Sequence, residues 1–506
     1  MTTNDSITVA GLMAASGVAF GTSGARGLVT AMTDRVCYGY TAGFLTYLAE
    51  QGEFTPGGAV ALAGDLRPST PRILIACAQA IRDLGGEVVF CGYVPTPALA
   101  LYAFGRAIPS LMVTGSHIPD DRNGIKFYRS HGEVLKSDEA GMSRQAVQFS
   151  TGAFAADGAL VSPAPLPVVT DVERAYLRRY VDYFGAQALT GLKLGVYQHS
   201  AVGRDIVVAI LAALGAEVVP LGRSDKFIPV DTEAVRAEDI ALARQWAQEY
   251  ALDGIASSDG DSDRPLLSDH TGEWLRGDVL GVLCARALGA DSVVTPVSSN
   301  SVLEACGAFA ATARTRIGSP YVIAEMLGQA AQKRRRVCGY EANGGFLLGS
   351  DIVNDGRLLS ALPTRDAVLP IVAVLVAARP GRVAEAVAAL PRRVTFSERI
   401  QNFPSADSAA LLAWLERGDG AAQLARMTHY FGALAGQAQR IDRTDGVRVT
   451  FADGDIIHLR PSGNAPELRC YTEADDAARA RQLNAEALAV VQGSLLQDVR
   501  QASPSV

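Results

Sequence analysis

The chain reads as an α/β protein, with three similar α/β domains followed by a smaller C-terminal α+β domain. Three observations carry that reading. A pattern of apolar strand, helix and apolar strand begins three separate times. After Arg392 it gives way to short strands mixed with helices. The length, 506 residues, exceeds what one core organises and suggests about three or four domains.

The first pattern opens at Val60-Ala61-Leu62-Ala63, ends in Gly64-Asp65 and leads to a helix around 70–84. Residues 87–90 form the next strand, stopped by Gly92, and Leu111-Met112-Val113 another. The second pattern runs through 192–197, a helix at 205–214 and a strand at 217–219. The third starts at 292–295, with a helix after Ser301 and a strand at Val337-Cys338. Parallel strands need crossovers long enough for a helix, so these repeats predict parallel sheets covered by helices. Residues 155–168, rich in Ala and Pro, predict a linker. Beyond Arg392, strands are expected at 393–396, 456–459 and across the alternating Val447, Val449 and Phe451, with helices at 409–416 and 476–491. The expected domains are 1–158, 165–262, 263–385 and 390–506.

Composition narrows the function classes. Hydrophobic residues make up 48% and charged residues 20%, an ordinary globular balance. A net charge of −7 argues against a nucleic-acid partner. Seven cysteines without a CxxC pair fit reduced, buried thiols. No basic residue precedes Arg26, so no secretory n-region is expected. The charge-free apolar run 367–378 is too short to span a bilayer and contains Pro370. A cytoplasmic protein without a membrane partner is the expectation.

Chemistry concentrates in a few segments. Thr114-Gly115-Ser116-His117-Ile118-Pro119 follows Leu111-Met112-Val113, so a strand end opens into a tight turn that presents a hydroxyl at a sheet edge. Far downstream, Asp259-Gly260-Asp261-Ser262-Asp263-Arg264 places three carboxylates at alternate positions. On a strand end or extended loop they face one point, and a hard cation is their natural counter-ion. An EF-hand is excluded, because Arg264 stands where it needs Gly and His270 where it needs Glu. Three carboxylates leave an octahedral Mg²⁺ room for a phosphate oxygen. Serine and cation site together suggest phosphoryl transfer through a phosphoserine. No GxSxG elbow occurs. Taken singly, Ser116 also fits an ordinary capping turn and the aspartates a solvated loop. His117 is too close in the chain to act as base for Ser116 and could serve a bound ligand.

Arg460-Pro461-Ser462-Gly463-Asn464-Ala465-Pro466 with Arg469 offers guanidinium, hydroxyl and amide donors, an oxyanion cradle or a plain Pro/Gly turn. The loop at 339–345 carries Glu341 and Asn343, able to bond sugar hydroxyls, and fits a simple loop equally well. Phe20 to Gly27 is Gly-rich without the GK[ST] of a P-loop, and Arg26 in it could clamp a phosphate. The six histidines show no zinc spacing, and His199 reads as a structural loop residue.

Seven segments occur in order: FGTSGARG at Phe20, GDLRPST at Gly64, GYVPTP at Gly92, TGSHIPDDRNGIKFY at Thr114, DGDSDRP at Asp259, GYEANGG at Gly339 and RPSGNAPELR at Arg460. The set resembles the α-D-phosphohexomutase family, which includes bacterial phosphomannomutase/phosphoglucomutase. The resemblance implies four domains around a central cleft. It implies that Ser116 carries the phosphoryl group, with Ser116, Asp259, Asp261 and Asp263 as the Mg²⁺ site. Arg26 and Lys126 would surround the phosphoserine, Arg264 would assist proton transfer, and His117 would be a further catalytic residue. Glu341, Asn343 and Gly344 would meet the sugar, while Arg460, Ser462, Gly463, Asn464 and Arg469 would hold the phosphate that is not reacting. The implied reaction interconverts hexose 6-phosphate and hexose 1-phosphate, of mannose and/or glucose, through a bound 1,6-bisphosphate that also serves as activator. The implied partner is a hexose phosphate, in a monomer or homodimer.

The chain departs from the family pattern at Ile118, at Tyr197 to Val202, and in the sugar loop, where Asn343 replaces Ser and Gly345 replaces His. The last change predicts a roomier loop, one that could admit an N-acetyl group. A glucosamine or N-acetylglucosamine phosphate mutase is therefore an alternative. A Mg²⁺-dependent serine phosphatase and an inactive sugar-phosphate-binding protein are readings from other classes.

Overall fold

The computed structural model describes residues 5–21, 23–379, 382–462 and 466–502. They divide into two compact units, Met1–Val294 with Gly318–Val387, and Thr295–Ile317 with Ala388–Val506.

In the first unit, strand Ala59–Gly64 is apolar throughout and buried at every position after the first. Burial on both faces is what parallel neighbours on both sides require. Its neighbours are Glu87–Tyr93 and Ser110–Val113, both parallel to it. Ser110–Val113 in turn pairs antiparallel with Arg122–Arg129, which pairs with Ala25–Leu28. Ser110–Val113 is therefore an interior strand of a seven-stranded sheet. The returning strand Arg122–Arg129 covers it. Ala25–Leu28, which carries Arg26, is preceded by a short strand, Ala19–Phe20, that the sequence did not reveal. Helix Asp34–Glu50 starts at the cap Thr33, and helix Thr70–Asp83 has Pro71 in its first turn, where no intrahelical N–H is needed. Phe44, Leu45, Ile73 and Leu74 from these helices are fully buried in the core.

The second sheet aligns Glu217–Arg223, Lys193–His199 and Gly254–Ser258 in parallel, then adds Pro265–Leu267 antiparallel. The acidic motif is thus the turn between two paired strands. In the third sheet Ser292–Pro296 runs parallel to Val337–Tyr340, and Phe346–Leu348 and Leu362–Asp366 follow antiparallel. The apolar run near residue 370 is helix Val368–Ala377, which packs against helix Gly277–Ala287 as a buried core element. Among the described residues no helix is long and apolar enough to cross a membrane. Residues 155–168 form no helix and only one isolated bridge, Phe154 with Leu160.

The second unit holds a five-stranded antiparallel sheet in the order Val394–Ile400, Leu468–Ala474, Ile456–Pro461, Val447–Phe451, Ala438–Asp442. Val447, Val449 and Phe451 point into one core with Met427 and Phe431 of helix Gly420–Ala435 and Leu483 of helix Ala477–Val490. The alternation puts Arg448 and Thr450 on the opposite face.

Candidate active site

Ser116 sits just past the end of strand Ser110–Val113 with φ 57°, a left-handed conformation that serine rarely adopts. Several bonds hold it there. Its N–H donates to Thr114 Oγ1 at 2.8 Å, and its carbonyl accepts from Arg67 Nη2 at 2.8 Å. Arg67 also donates to the carbonyls of Ile118 (2.5 Å), Pro119 (2.8 Å) and Arg122 (3.2 Å), and its Nε to Asp65 Oδ2 (3.1 Å). Asp65 accepts from Thr114 and Thr70 as well. Arg67 lies so close under the turn that a Cβ on Gly115 would come within 2.6 Å of its guanidinium carbon. Sequence reasoning quoted GDLRPST but assigned it no work; it is the clamp on the serine turn.

Ser116 is fully buried. This corrects the expectation of a displayed hydroxyl, because the acidic turn closes over it. Ser116 Oγ donates to Asp259 Oδ2 at 2.6 Å and lies 3.4 Å from His117 Nδ1. A Cβ on Gly260 would meet the Ser116 carbonyl at 2.6 Å, so this approach requires glycine.

The three aspartates converge as the spacing predicts. They are wholly buried, with one ligand oxygen of each within 4.8 Å of the others. Asp259 Oδ1 accepts the N–H groups of Asp263 (3.2 Å) and Arg264 (3.1 Å). Asp261 Oδ2 accepts from Thr96 Oγ1 and from Lys126 Nζ, both at 2.6 Å. Asp263 Oδ2 accepts from Lys126 Nζ and from Arg365 Nε, the latter at 3.1 Å. Asp261 Oδ1 and Asp263 Oδ1 are buried without a hydrogen-bond partner. Two unsatisfied anionic oxygens beside a third carboxylate fit a hard, oxygen-seeking cation. Burial and the neighbouring Asp261 and Asp263 push Asp259 well above the usual carboxylate range. Burial also raises Asp261, but Lys126 outweighs it and holds that carboxyl below its ordinary value.

Cations with spare donors face this cluster. Arg264 Nε is 3.9 Å from both Asp259 Oδ2 and Asp263 Oδ1, and has no hydrogen bond. Arg365 Nη2 is likewise buried and unsatisfied. Burial, then Arg264 and Arg365, lowers Arg26 to about 10. Burial, then Arg264 and Arg26, pushes His117 down to about 2, so its imidazole stays neutral and can accept a bond. Crowded guanidinium groups with free N–H are what an oxyanion would satisfy.

The sugar-loop candidates are joined to the cluster through Arg365, which the sequence reading missed. Its Nη1 donates to Glu341 Oε2 at 3.2 Å while its Nε holds Asp263. The available signal was a lone arginine closing strand Leu362–Asp366 before an apolar helix. Glu341 and Asn343 are both buried; Asn343 Oδ1 accepts from the Gly345 N–H at 3.0 Å, and the Gly344 N–H donates to the Glu341 carbonyl at 2.9 Å. The expected extra room at Gly345 is absent. A Cβ there would lie 2.6 Å from Arg365 Cδ, so the arginine fills the space. His199 is buried, and its Nε2 is bonded to the Ser258 carbonyl at 2.8 Å, a structural placement beneath the acidic turn.

Arg460, Ser462 and Arg469 belong to the second unit. Arg460 Nε donates to Asp445 Oδ2 at 2.8 Å, and the Ser462 N–H to the Glu467 carbonyl at 2.9 Å. Arg460 and Arg469 face each other on paired strands. Gly463 and Asn464 lie outside the described residues.

Models of the phosphoglucomutase/phosphomannomutase family match this chain in four successive pieces. These are α/β/α domain I at 17–150, domain II at 175–272, domain III at 276–394 and the C-terminal domain at 413–490. A phosphomannomutase of Sinorhizobium fredii (strain NBRC 101917 / NGR234) is 46% identical, covering 95% of this chain and 100% of its own. A phosphoglucosamine mutase of Anaeromyxobacter dehalogenans (strain 2CP-C) is more distant, 28% identical over 92% of this chain and 96% of its own. In structure, a phosphoglucomutase/phosphomannomutase family protein from Burkholderia thailandensis superposes with a TM-score of 0.71 at 21% identity, covering 94% of this chain and 98% of that one; this speaks to the fold. Four domain matches in order, with near-complete alignment to a relative at that identity, make this chain a member of the phosphoglucomutase/phosphomannomutase family.

Proposed function

We propose that this enzyme is a phosphohexomutase that interconverts the 6- and 1-phosphates of mannose and of glucose through phospho-Ser116. The observation that carries this reading is the Ser116 hydroxyl, bonded to Asp259 at 2.6 Å inside a cluster of buried carboxylates faced by arginines with unused donors. The serine oxygen bonds phosphorus, and the surrounding charges receive a transferring phosphoryl group.

In the forward half, a sugar hydroxyl attacks the phosphorus of phospho-Ser116 and the bond from phosphorus to the serine oxygen breaks, giving a hexose 1,6-bisphosphate. In the return half, the Ser116 oxygen attacks the other phosphorus, the bond from that phosphorus to the sugar oxygen breaks, and the sugar keeps a free hydroxyl there. Asp259, Asp261 and Asp263, with an oxygen on Ser116, would hold Mg²⁺. That ion supplies charge neutralisation at the phosphoryl group. Arg26, Lys126 and His117 orient the group's oxygens, and Arg264 assists proton transfer at the sugar. Glu341, Asn343 and Gly344 position sugar hydroxyls. Arg460, Ser462, Gly463, Asn464 and Arg469 grip the idle phosphate, which must be either of two in alternate orientations. Most of the rate enhancement is then positioning and electrostatics.

Mannose and glucose differ at one hydroxyl, and one such contact is worth roughly 1–3 kcal/mol. Both 1-phosphates should be turned over, with efficiencies within about a hundredfold. The phosphomannomutase relative at 46% identity, against 28% for the phosphoglucosamine mutase relative, favours the simple hexoses over the amino-sugar alternative. A coupled assay against mannose, glucose, glucosamine and N-acetylglucosamine 1-phosphates tests this. N-acetylglucosamine phosphate as the best substrate would overturn it. A trace of hexose 1,6-bisphosphate should prime a mutase by rephosphorylating Ser116; hydrolysis to free hexose without priming would favour a phosphatase.

A further inference from the structure

The second unit contains a cavity of about 380 Å³ that the mutase reading does not use. Its lining comes wholly from that unit, whereas the aspartate cluster lies wholly in the first. The volume is at the lower end of the range for small-molecule sites, about 300–1,000 Å³.

Four arginines line it, and two are already occupied. Arg314 forms a two-point pair with Glu304, at 2.8 and 2.7 Å, and also bonds backbone carbonyls. Arg393 is held by Glu473 at 2.7 Å and Asp475 at 2.8 Å. The other two are not. Arg448 is only 6% exposed, yet its guanidinium makes no hydrogen bond among the described residues. Its single ion pair is a 3.9 Å approach to Glu473, a carboxylate already engaged by Arg393 and Ser301. The side chain is thus more than nine-tenths buried while it lines the cavity with N–H donors left for a ligand. Burial, followed by the repulsion of Arg314, lowers Arg448 to about 10.

Strand register shows what shares that face. Arg448 lies opposite Asp442, and Thr450 opposite Arg440, on the neighbouring strand. Arg440 is exposed and has no ion pair among the described residues. Of the wall's two carboxylates, Glu304 belongs to Arg314, and Asp442 accepts the Thr444 N–H at 2.8 Å. Burial raises Asp442, but that bond and the charges of Arg448 and Arg440 outweigh it and hold the carboxyl below its ordinary value, without a hydrogen bond to either arginine among the described residues. Two guanidinium groups without a hydrogen bond among the described residues, and the Thr450 hydroxyl, remain. That donor set suits a tetrahedral, doubly charged oxyanion gripped by parallel N–H bonds. The cavity also has room for a polar body attached to it.

We propose that this cavity is a second anion site, which takes the phosphate of a small phosphomonoester between Arg448 and Arg440. Isothermal titration calorimetry of the full chain tests it, with glucose 6-phosphate in one arm and inorganic phosphate in the other. Wild type should bind two glucose 6-phosphates per chain. Arg448→Met and Arg440→Ala should each weaken one of the two by about tenfold or more, since each removes charge-assisted bonds. The other binding event and the KM for hexose phosphate should stay unchanged. Arg440 is exposed, so Arg440→Ala remains decisive even if Arg448→Met does not fold. A single binding event that neither substitution alters would overturn the site. Inorganic phosphate binding as tightly as the ester would overturn the phosphomonoester assignment. Failure here is separable from failure of the mutase reading, which is judged by Ser116 and turnover.

Discussion

At Asp259, Asp261 and Asp263 three carboxylates are buried together and most of their oxygens are engaged, by Ser116, Thr96, Lys126, Arg365 and two backbone N–H groups. At Arg448 one side chain is 6% exposed, and its guanidinium has a single 3.9 Å ion pair and no hydrogen bond among the described residues. The first region replaces lost hydration with fixed dipoles and cations, leaving two oxygens open. The second leaves nearly its whole hydrogen-bonding capacity open. Reactive centres need geometry set before substrate arrives, because reorganising charges during reaction adds to the barrier. A binding cavity needs only unsatisfied donors that a ligand can complete.

The strongest way to break the comparison is at the serine. Ser116→Ala should lower mutase turnover by at least about ten-thousandfold, the scale expected when a nucleophile is removed. Calorimetric binding at the arginine cavity should not change. Peptide mapping of active wild type should find phosphate on Ser116, and phosphate on another residue would refute the covalent role.

Metal removal comes next. A chelator should bring turnover to background and Mg²⁺ should restore it. Asp261→Asn should raise the Mg²⁺ concentration needed for half-maximal rate about tenfold, because one anionic ligand of three is lost. Full turnover in chelator would show that Lys126 and the arginines suffice as counter-charges.

A third test separates fixed from open charge. Arg67→Met should cost about 3–5 kcal/mol in urea unfolding, because it leaves the buried Asp65 short of its cation. Four carbonyls around the serine turn would lose donors as well. Arg440→Ala, at an exposed position, should change stability by less than about 0.5 kcal/mol. Equal losses would erase the distinction between the two regions.

A last test is in pH. His458 is buried on the sheet of the second unit, its Nε2 bonded to the Asp445 carbonyl at 2.7 Å and its Nδ1 unpartnered. Burial lowers it to about 4, against about 6.5 in an unfolded chain. Above pH 6.5 both states are neutral and the folded form keeps its full stability. Between about 6.5 and 4 the unfolded chain binds the proton more readily, so stability falls with pH, by roughly 3 kcal/mol at most from this group. Urea unfolding at pH 7 and pH 4.5 should show the loss, and His458→Gln should reduce it. An identical pH slope in the variant would remove His458 from the account.

The repeated strand-helix-strand pattern and the alternating aspartates were legible because both are local. The three aspartates share one short turn, and apolar runs mark buried strands. Two expectations failed where distant segments pack. Ser116 read as displayed because nothing near it in sequence covers it; Gly260 brings in the cover. Gly345 read as empty space because Arg365, twenty residues away in the chain, takes it up.

By itself, the sequence determined the order of elements, the serine turn, the gathering of three carboxylates and the family to which the ordered motifs belong. Each rests on residues within a few positions of one another, where backbone geometry alone relates side chains. Only the tertiary structure decided that Lys126 spans Asp261 and Asp263, that Arg67 clamps the serine turn through backbone carbonyls, that Arg365 ties the loop at Glu341 to the acidic cluster, and that Arg448 is buried with only a 3.9 Å ion pair. Such pairings depend on which sheets and loops dock. Docking is set by burial summed over whole faces, which no short stretch of chain encodes.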